Sequence, residues 1–273
     1  MKLVITIGDP NGIGIEVMMN AITRIDKEQA PSHEAEFTIA GSIETIKQYA
    51  ERIKFRIETD NNGIKIGERY CKVINCCEPV KPELGTVSEG AGKIAAASIE
   101  TAVDKTIAGE FDAVVTMPVS KDALHKSGWK FMGHTEMLAK KCDTDLPLMM
   151  LLAGDIRVSL ATIHIPVKDV SKSLSKGLLT DLISKFHRSL IIDFGHTKPS
   201  IAVLGLNPHA GEVGAIGTEE GEIIKPAIDT CNILGMNVHG PHPADGFFAH
   251  GDYEYYDGIF AMYHDQGLIP IKL

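Results

Sequence analysis

The chain reads as an α/β protein built on mostly parallel sheet with helices on both faces, and three features of its 273 residues lead there. Short apolar runs rich in β-branched residues alternate with longer segments of helical period, the order of a βαβ architecture. The runs are continuously apolar rather than alternating, as expected of strands covered on both faces. Hydrophobic residues at 44% and charged residues at 23% describe an ordinary globular core, and the length allows one large domain or two smaller ones.

Residues 3–7 form the first strand, and Gly8-Asp9-Pro10-Asn11-Gly12-Ile13-Gly14 turns the chain into a helix over 16–25. Such a junction either holds an anion on free backbone N–H groups or is a tight turn and nothing more. It is not a dinucleotide fingerprint, because Val17 stands where the third glycine would fall. Residues 36–40 are the second strand, 43–53 a helix, and 64–68 and 73–75 short strands. Gly90-Ala91-Gly92 then opens a helix of small residues in which Ile94, Ala97, Ile99 and Ala102 can approach a neighbour closely, and 113–116 is the next strand.

Lys121 follows the carboxyl end of that strand, and His134 and Thr135 open the next helix. Both places suit a ligand anion, which a lysine charge or helix-terminal amides attract. A solvated lysine and an ordinary cap by Thr135 are the plainer readings.

Three strands of the second half, 158–163, 201–206 and 258–263, share one pattern: each runs into a histidine, His164, His209 and His264. Ligands of α/β proteins bind at the carboxyl ends of strands. Three neutral imidazoles with an open position can bind a metal that polarises a substrate oxygen. Any one of the three could instead satisfy a loop carbonyl; the shared context favours a common site. Helices are expected over 171–186 and 218–233, the latter with Glu219, Glu220 and Glu222 at its positive end. Asp245 lies in a rigid Pro/Gly loop, either as a metal- or substrate-assisting carboxylate or as a turn former. After His264 and Asp265 the apolar stretch 268–271 suggests a further strand, and the abrupt ending suggests an absent C-terminal piece.

Lys and Arg number 27 against 36 Asp and Glu, a net charge of −9, which argues against a nucleic-acid surface. No apolar run approaches the roughly 18 residues of a membrane span, and the opening lacks a signal-peptide cleavage site. Five cysteines without a CxxC spacing fit reduced thiols in a cytoplasmic protein, with Cys76–Cys77 part of a buried strand rather than a redox pair.

Seven stretches in chain order carry a resemblance: GDPNGIGIE at 8–16, MPVSK at 117–121, GHTE at 133–136, TIHIPV at 162–167, LNPHAGE at 206–212, HPAD at 242–245 and YHDQGLIPIK at 263–272. Together they resemble the 4-hydroxythreonine-4-phosphate dehydrogenases of vitamin B6 synthesis. The first stretch departs from that family, which usually has Ala at the place of Asn11 and Pro at the place of Ile15.

The resemblance implies two α/β/α lobes with a cleft between them, the isocitrate/isopropylmalate dehydrogenase-like fold. The first lobe would span 1–130, completed by a C-terminal segment absent here, and the second 131–273. His164, His209 and His264 match the family's metal ligands, and His134, Thr135 and Lys272 its substrate-binding positions. NAD or NADP, a divalent ion (zinc, magnesium or cobalt) and a homodimer with its active site near the subunit interface are likewise implied. The implied reaction oxidises 4-phosphooxy-L-threonine to a 3-keto acid that decarboxylates, with Asp245, Lys121 and a metal-bound water competing as proton acceptor. A dehydrogenase of a threonate or erythronate 4-phosphate is the neighbouring alternative. A non-catalytic metabolite-binding dimer is the alternative of another class.

Overall fold

The structure is a computed structural model that describes residues 1–27, 35–131 and 133–272. It divides into two compact units, Met1–Asp145 and Leu146–Leu273. The division falls after Asp145 rather than after residue 130, because the helix beginning at His134 buries Met137 with Ile99, Val103, Leu124 and Trp129 of the first unit.

The first unit runs β1 (Lys2–Thr6), α1 (Gly14–Lys27), β2 (Glu36–Gly41), α2 (Ile43–Ile53), β3 (Ile57–Thr59), β4 (Gly63–Ile66), β5 (Arg69–Asn75), α3 (Glu89–Ile107), β6 (Ala113–Val115), α4 (Lys121–Lys126) and α5 (His134–Lys141). Its sheet has the order β3-β4-β5-β2-β1-β6, with β5, β2, β1 and β6 parallel and the β3–β4–β5 edge antiparallel. Ile5, Phe37 and Ile39 meet Met18, Ile22, Ile46 and Tyr49 of α1 and α2 on one face. Val4 and Ala40 meet Ala102 of α3 on the other. Cover on both faces is why these strands read as unbroken apolar runs.

At the β1–α1 turn, Asp9 Oδ1 accepts from Asn11 N at 2.8 Å, and Asn11 Nδ2 donates to Thr86 O, Thr86 Oγ1 and Ser88 Oγ at 3.1–3.2 Å. The small residues of α3 do let it approach a neighbour closely. A Cβ on Gly92 would lie 1.9 Å from Ala123 O of α4, and Ser98 bridges the sheet by accepting from Ile7 N and donating to Ala40 O.

The second unit runs β7 (Met150–Ala153), β8 (Ile156–Leu160), α6 (Val167–Ser173), α7 (Lys176–Ile192), β9 (Ser200–Leu204), α8 (Lys225–Ile233), β10 (Asn237–His242), α9 (Ala244–Ala249), β11 (Gly258–Ala261) and α10 (His264–Lys272). Its sheet order is β10-β9-β11-β8-β7, parallel except for β7. Ile201, Val203 and Phe260 pack under α7 and α8, whereas Ala202, Leu204 and Ile259 pack under α9 and α10.

The expected helix over 171–186 is two helices, broken where Leu174 takes an extended ψ of 139° and Ser175 caps α7 by accepting from Leu178 N at 3.2 Å. The terminal apolar stretch is α10 rather than a strand. Leu268 and Ile271 share a helical face that packs on Val158, Leu160 and Ala261, and Gly267 lets the helix sit close, since a Cβ there would lie 2.6 Å from Leu160 Cδ2. All five cysteines are free, and no helix among the described residues is long and apolar enough to cross a membrane.

A histidine-bearing candidate active site

His164, His209 and His264 leave the carboxyl ends of β8, β9 and β11, three neighbouring parallel strands. Side chains lock those ends together. Thr162 Oγ1 donates to Met262 O at 2.8 Å, tying β8 to β11. Gln266 Nε2 donates to Gly205 O at 2.6 Å while its Oε1 accepts from Met262 N at 2.7 Å, tying β11 to β9.

Two of the three imidazoles come together. The rings of His164 and His264 have centroids 5.7 Å apart and line a cleft of about 200 Å³ with Thr162, Ile163, Tyr263 and Asp265. Asp265 Oδ1 lies 2.8 Å from His264 Nδ1, which fixes that ring and leaves Nε2 for a ligand. A carboxylate behind a histidine is the usual support of a metal-binding imidazole.

His209 is held differently. After Pro208 the backbone enters a left-handed run, with φ of 52°, 49°, 78°, 44° and 55° at His209, Ala210, Gly211, Glu212 and Val213. For L-residues this costs about 1–2 kcal/mol each, so the surroundings must enforce it. His209 is exposed on this run, and Val213 beyond it is fully exposed. Among the described residues, no group of three or more His, Cys, Asp or Glu is placed to hold a metal ion. Two imidazoles with a supporting carboxylate are donors that suit zinc or cobalt.

The substrate-binding candidates lie on both units. His134 occupies the first position of α5, whose N-cap, Gly133, makes no side-chain hydrogen bond. Thr135 is exposed in the first turn and is not the cap. His134 Nε2 is buried without a hydrogen-bond partner among the described residues, and burial holds its pKa below 6.5, so the ring is neutral near pH 7. Lys121 is exposed at the first position of α4, where Ser120 supplies the cap to Ala123 N. Asp245 is exposed in the first turn of α9, and Lys272 is exposed at the last position of α10.

The residues that hold the β9 loop escape a sequence reading. Glu219 and Glu220 do not serve only the positive end of a helix. Glu220 is buried, opens a π-helical turn over Glu220–Ile224, and with Glu219 grips Asn207. An adjacent acidic pair just before an apolar helix was the available signal, but nothing in the sequence points from it to Asn207. Asp265 was legible as an acid next to a histidine.

The family model of the pyridoxal phosphate biosynthetic protein PdxA matches residues 32–273. A 4-hydroxythreonine-4-phosphate dehydrogenase of Bacteroides thetaiotaomicron is 37% identical over 276 residues, covering 100% of this chain and 75% of that one. A protein of Cutibacterium acnes provisionally named D-threonate 4-phosphate dehydrogenase is 38% identical, covering 98% and 78%. The crystal structure of a 4-hydroxythreonine-4-phosphate dehydrogenase from Burkholderia phymatum superposes with a TM-score of 0.83 at 33% identity, covering 99% and 82%.

Proposed function

From its membership of the pyridoxal phosphate biosynthetic protein PdxA family, to which this chain belongs, we propose that it oxidises C3 of 4-phosphooxy-L-threonine. The hydride leaves for NAD⁺ and the hydroxyl proton for a base. The 2-amino-3-keto acid then loses CO₂ by breaking the C1–C2 bond, whose electron pair passes to the C3 carbonyl as an enolate, and C2 takes up a proton to give 3-amino-2-oxopropyl phosphate. The observation that carries this reading is the set of three histidines at the carboxyl ends of neighbouring strands, in a chain whose 37%-identical relative bears the dehydrogenase name.

His164, His209 and His264 are the residues proposed to hold the divalent ion, with Asp265 keeping Nε2 of His264 directed outward. When bound, the ion (zinc, magnesium or cobalt) supplies Lewis acidity at the C3 oxygen, and NAD or NADP takes the hydride. His134 offers its Nε2, without a hydrogen-bond partner among the described residues, to the anionic end of the substrate, Thr135 a hydroxyl and Lys272 a positive charge. Asp245 and Lys121 are the candidate proton acceptors. The working form is a cytoplasmic homodimer with the site near the subunit interface, a reading supported by apolar side chains exposed beside two of the histidines: Ile165 and Val167 after His164, Val213 and Ile216 after His209.

The 38%-identical relative supports a second substrate, a threonate 4-phosphate, which differs by a hydroxyl in place of the amine beside the reacting carbon. Steady-state NADH formation with 4-phosphooxy-L-threonine, threonate 4-phosphate and erythronate 4-phosphate, each with Zn²⁺, Mg²⁺ or Co²⁺, separates the readings. The aminated substrate is expected to give the highest kcat/KM. Turnover of a sugar-acid phosphate alone moves the assignment to that substrate, and no turnover of any leaves a metabolite-binding dimer.

A further inference from the structure

We propose that Glu219 and Glu220 are positioning residues for His209, a role that rests on the reading of His209 as a metal ligand. Glu220 is only 5% exposed, and its acceptors are used on neutral donors. Its Oε1 accepts from Leu206 N at 2.8 Å and Asn207 N at 2.7 Å, and its Oε2 accepts from Asn207 Nδ2 at 2.9 Å. Glu219 Oε2 accepts from the same Nδ2 at 2.8 Å, and its Oε1 accepts from Ser171 Oγ at 2.6 Å. These bonds hold the Glu219 carboxyl below its ordinary pKa.

Two carboxylates thus clamp one amide, two residues before His209, at the point where the chain leaves β9. The clamp reaches α6 through Ser171, on the segment that follows His164. Glycines make the room for it: a Cβ would lie 2.6 Å from Glu220 Oε2 at Gly211 and 2.3 Å from Asn207 Nδ2 at Gly217. The left-handed run that carries His209 starts from this anchor, where Ala210 N donates to Asn207 O at 3.1 Å. A buried carboxylate such as Glu220 persists when it is well hydrogen-bonded, and its bonds to Leu206 N and Asn207 set the direction in which the His209 loop departs.

The donor pattern sets the test. Glu219→Gln is tolerated, because a carboxamide there can accept from Asn207 and donate to the Ser171 hydroxyl. Glu220→Gln is not, because its NH₂ must face either Asn207 Nδ2 or the two backbone N–H groups, and rotating the Asn207 amide would set its oxygen against Glu219. In E219Q/E220Q that rotation becomes favourable, since the Asn207 oxygen can accept from both introduced amides. The double variant therefore restores the clamp with no charge in it.

The measurements are Co²⁺ affinity of the metal-free protein by calorimetry and amide exchange over residues 206–217. We expect E220Q to weaken Co²⁺ binding about 10–100-fold and to speed exchange at Leu206 and Asn207 at least about tenfold. E219Q and the double variant should stay within about threefold of the parent protein in both. Loop exchange in E220Q equal to that of the parent, or a double variant worse than E220Q, overturns the proposal. If the parent binds no divalent ion, the metal reading fails while the exchange data still decide the clamp. Should E220Q not fold, Asn207→Ala, which leaves Glu220 its two backbone donors, is expected to give the same local loss of protection, and its absence overturns the clamp equally.

Discussion

His134, His187 and His242 each have a pKa below 6.5 chiefly because burial penalises the imidazolium; at His242 Asp252 opposes the shift and His239 adds to it. The sign of the consequence is fixed by linkage. Above pH 6.5 the rings are neutral in folded and unfolded chains alike, and stability is unaffected by them. As the pH falls below 6.5 the unfolded chain takes up protons that the folded chain resists, so stability drops until the folded-state pKa values are passed. The thermal midpoint should therefore be lower at pH 5.5 than at pH 7.5, and His134→Asn should make that dependence shallower. Working above pH 5 keeps Glu219, held below 4.5 by Ser171, its neighbouring backbone and Asn207, ionised throughout. An unchanged slope in the variant would show that the ring at position 134 titrates freely.

At the scale of elements, the contact of α3 with α4 depends on a glycine. Gly92→Ala gains about 1 kcal/mol of helix propensity, yet the new methyl meets backbone, with Ala123 O at 1.9 Å and Ala123 C at 2.4 Å. Backbone cannot rotate away as a side chain can, so a net loss of about 1–3 kcal/mol is expected, read as a lower urea midpoint at constant m-value. What the sequence disclosed follows the same physics. Helix α2 was legible to the residue because Ser42 caps it and its apolar positions keep a helical period. The strand β3 was missed because it is a three-residue edge strand, largely exposed. The break between α6 and α7 was invisible because apolar spacing continues across it, and α10 was taken for a strand because Pro270 and a dense apolar stretch masked its period. The three histidines were found at their strand ends. The left-handed path of His209 was not, because one glycine in five residues gives no hint of it.

The whole molecule is proposed to work as a pair. If the three ligands of one site come from two copies, mixing His164→Ala with His209→Ala should restore part of the activity, because some mixed dimers hold one intact site. If each copy builds its own site, no mixing ratio restores any. The single chain, for its part, keeps two separate accounts of burial. Among the described residues, the five apolar clusters each lie within one unit, three in the first and two in the second. Lys121, His134 and Thr135 belong to the first unit, whereas His164, His209, Asp245, His264 and Lys272 belong to the second. Descendants of a common ancestor could then exchange substitutions around His134 while the histidine-bearing sheet is inherited intact.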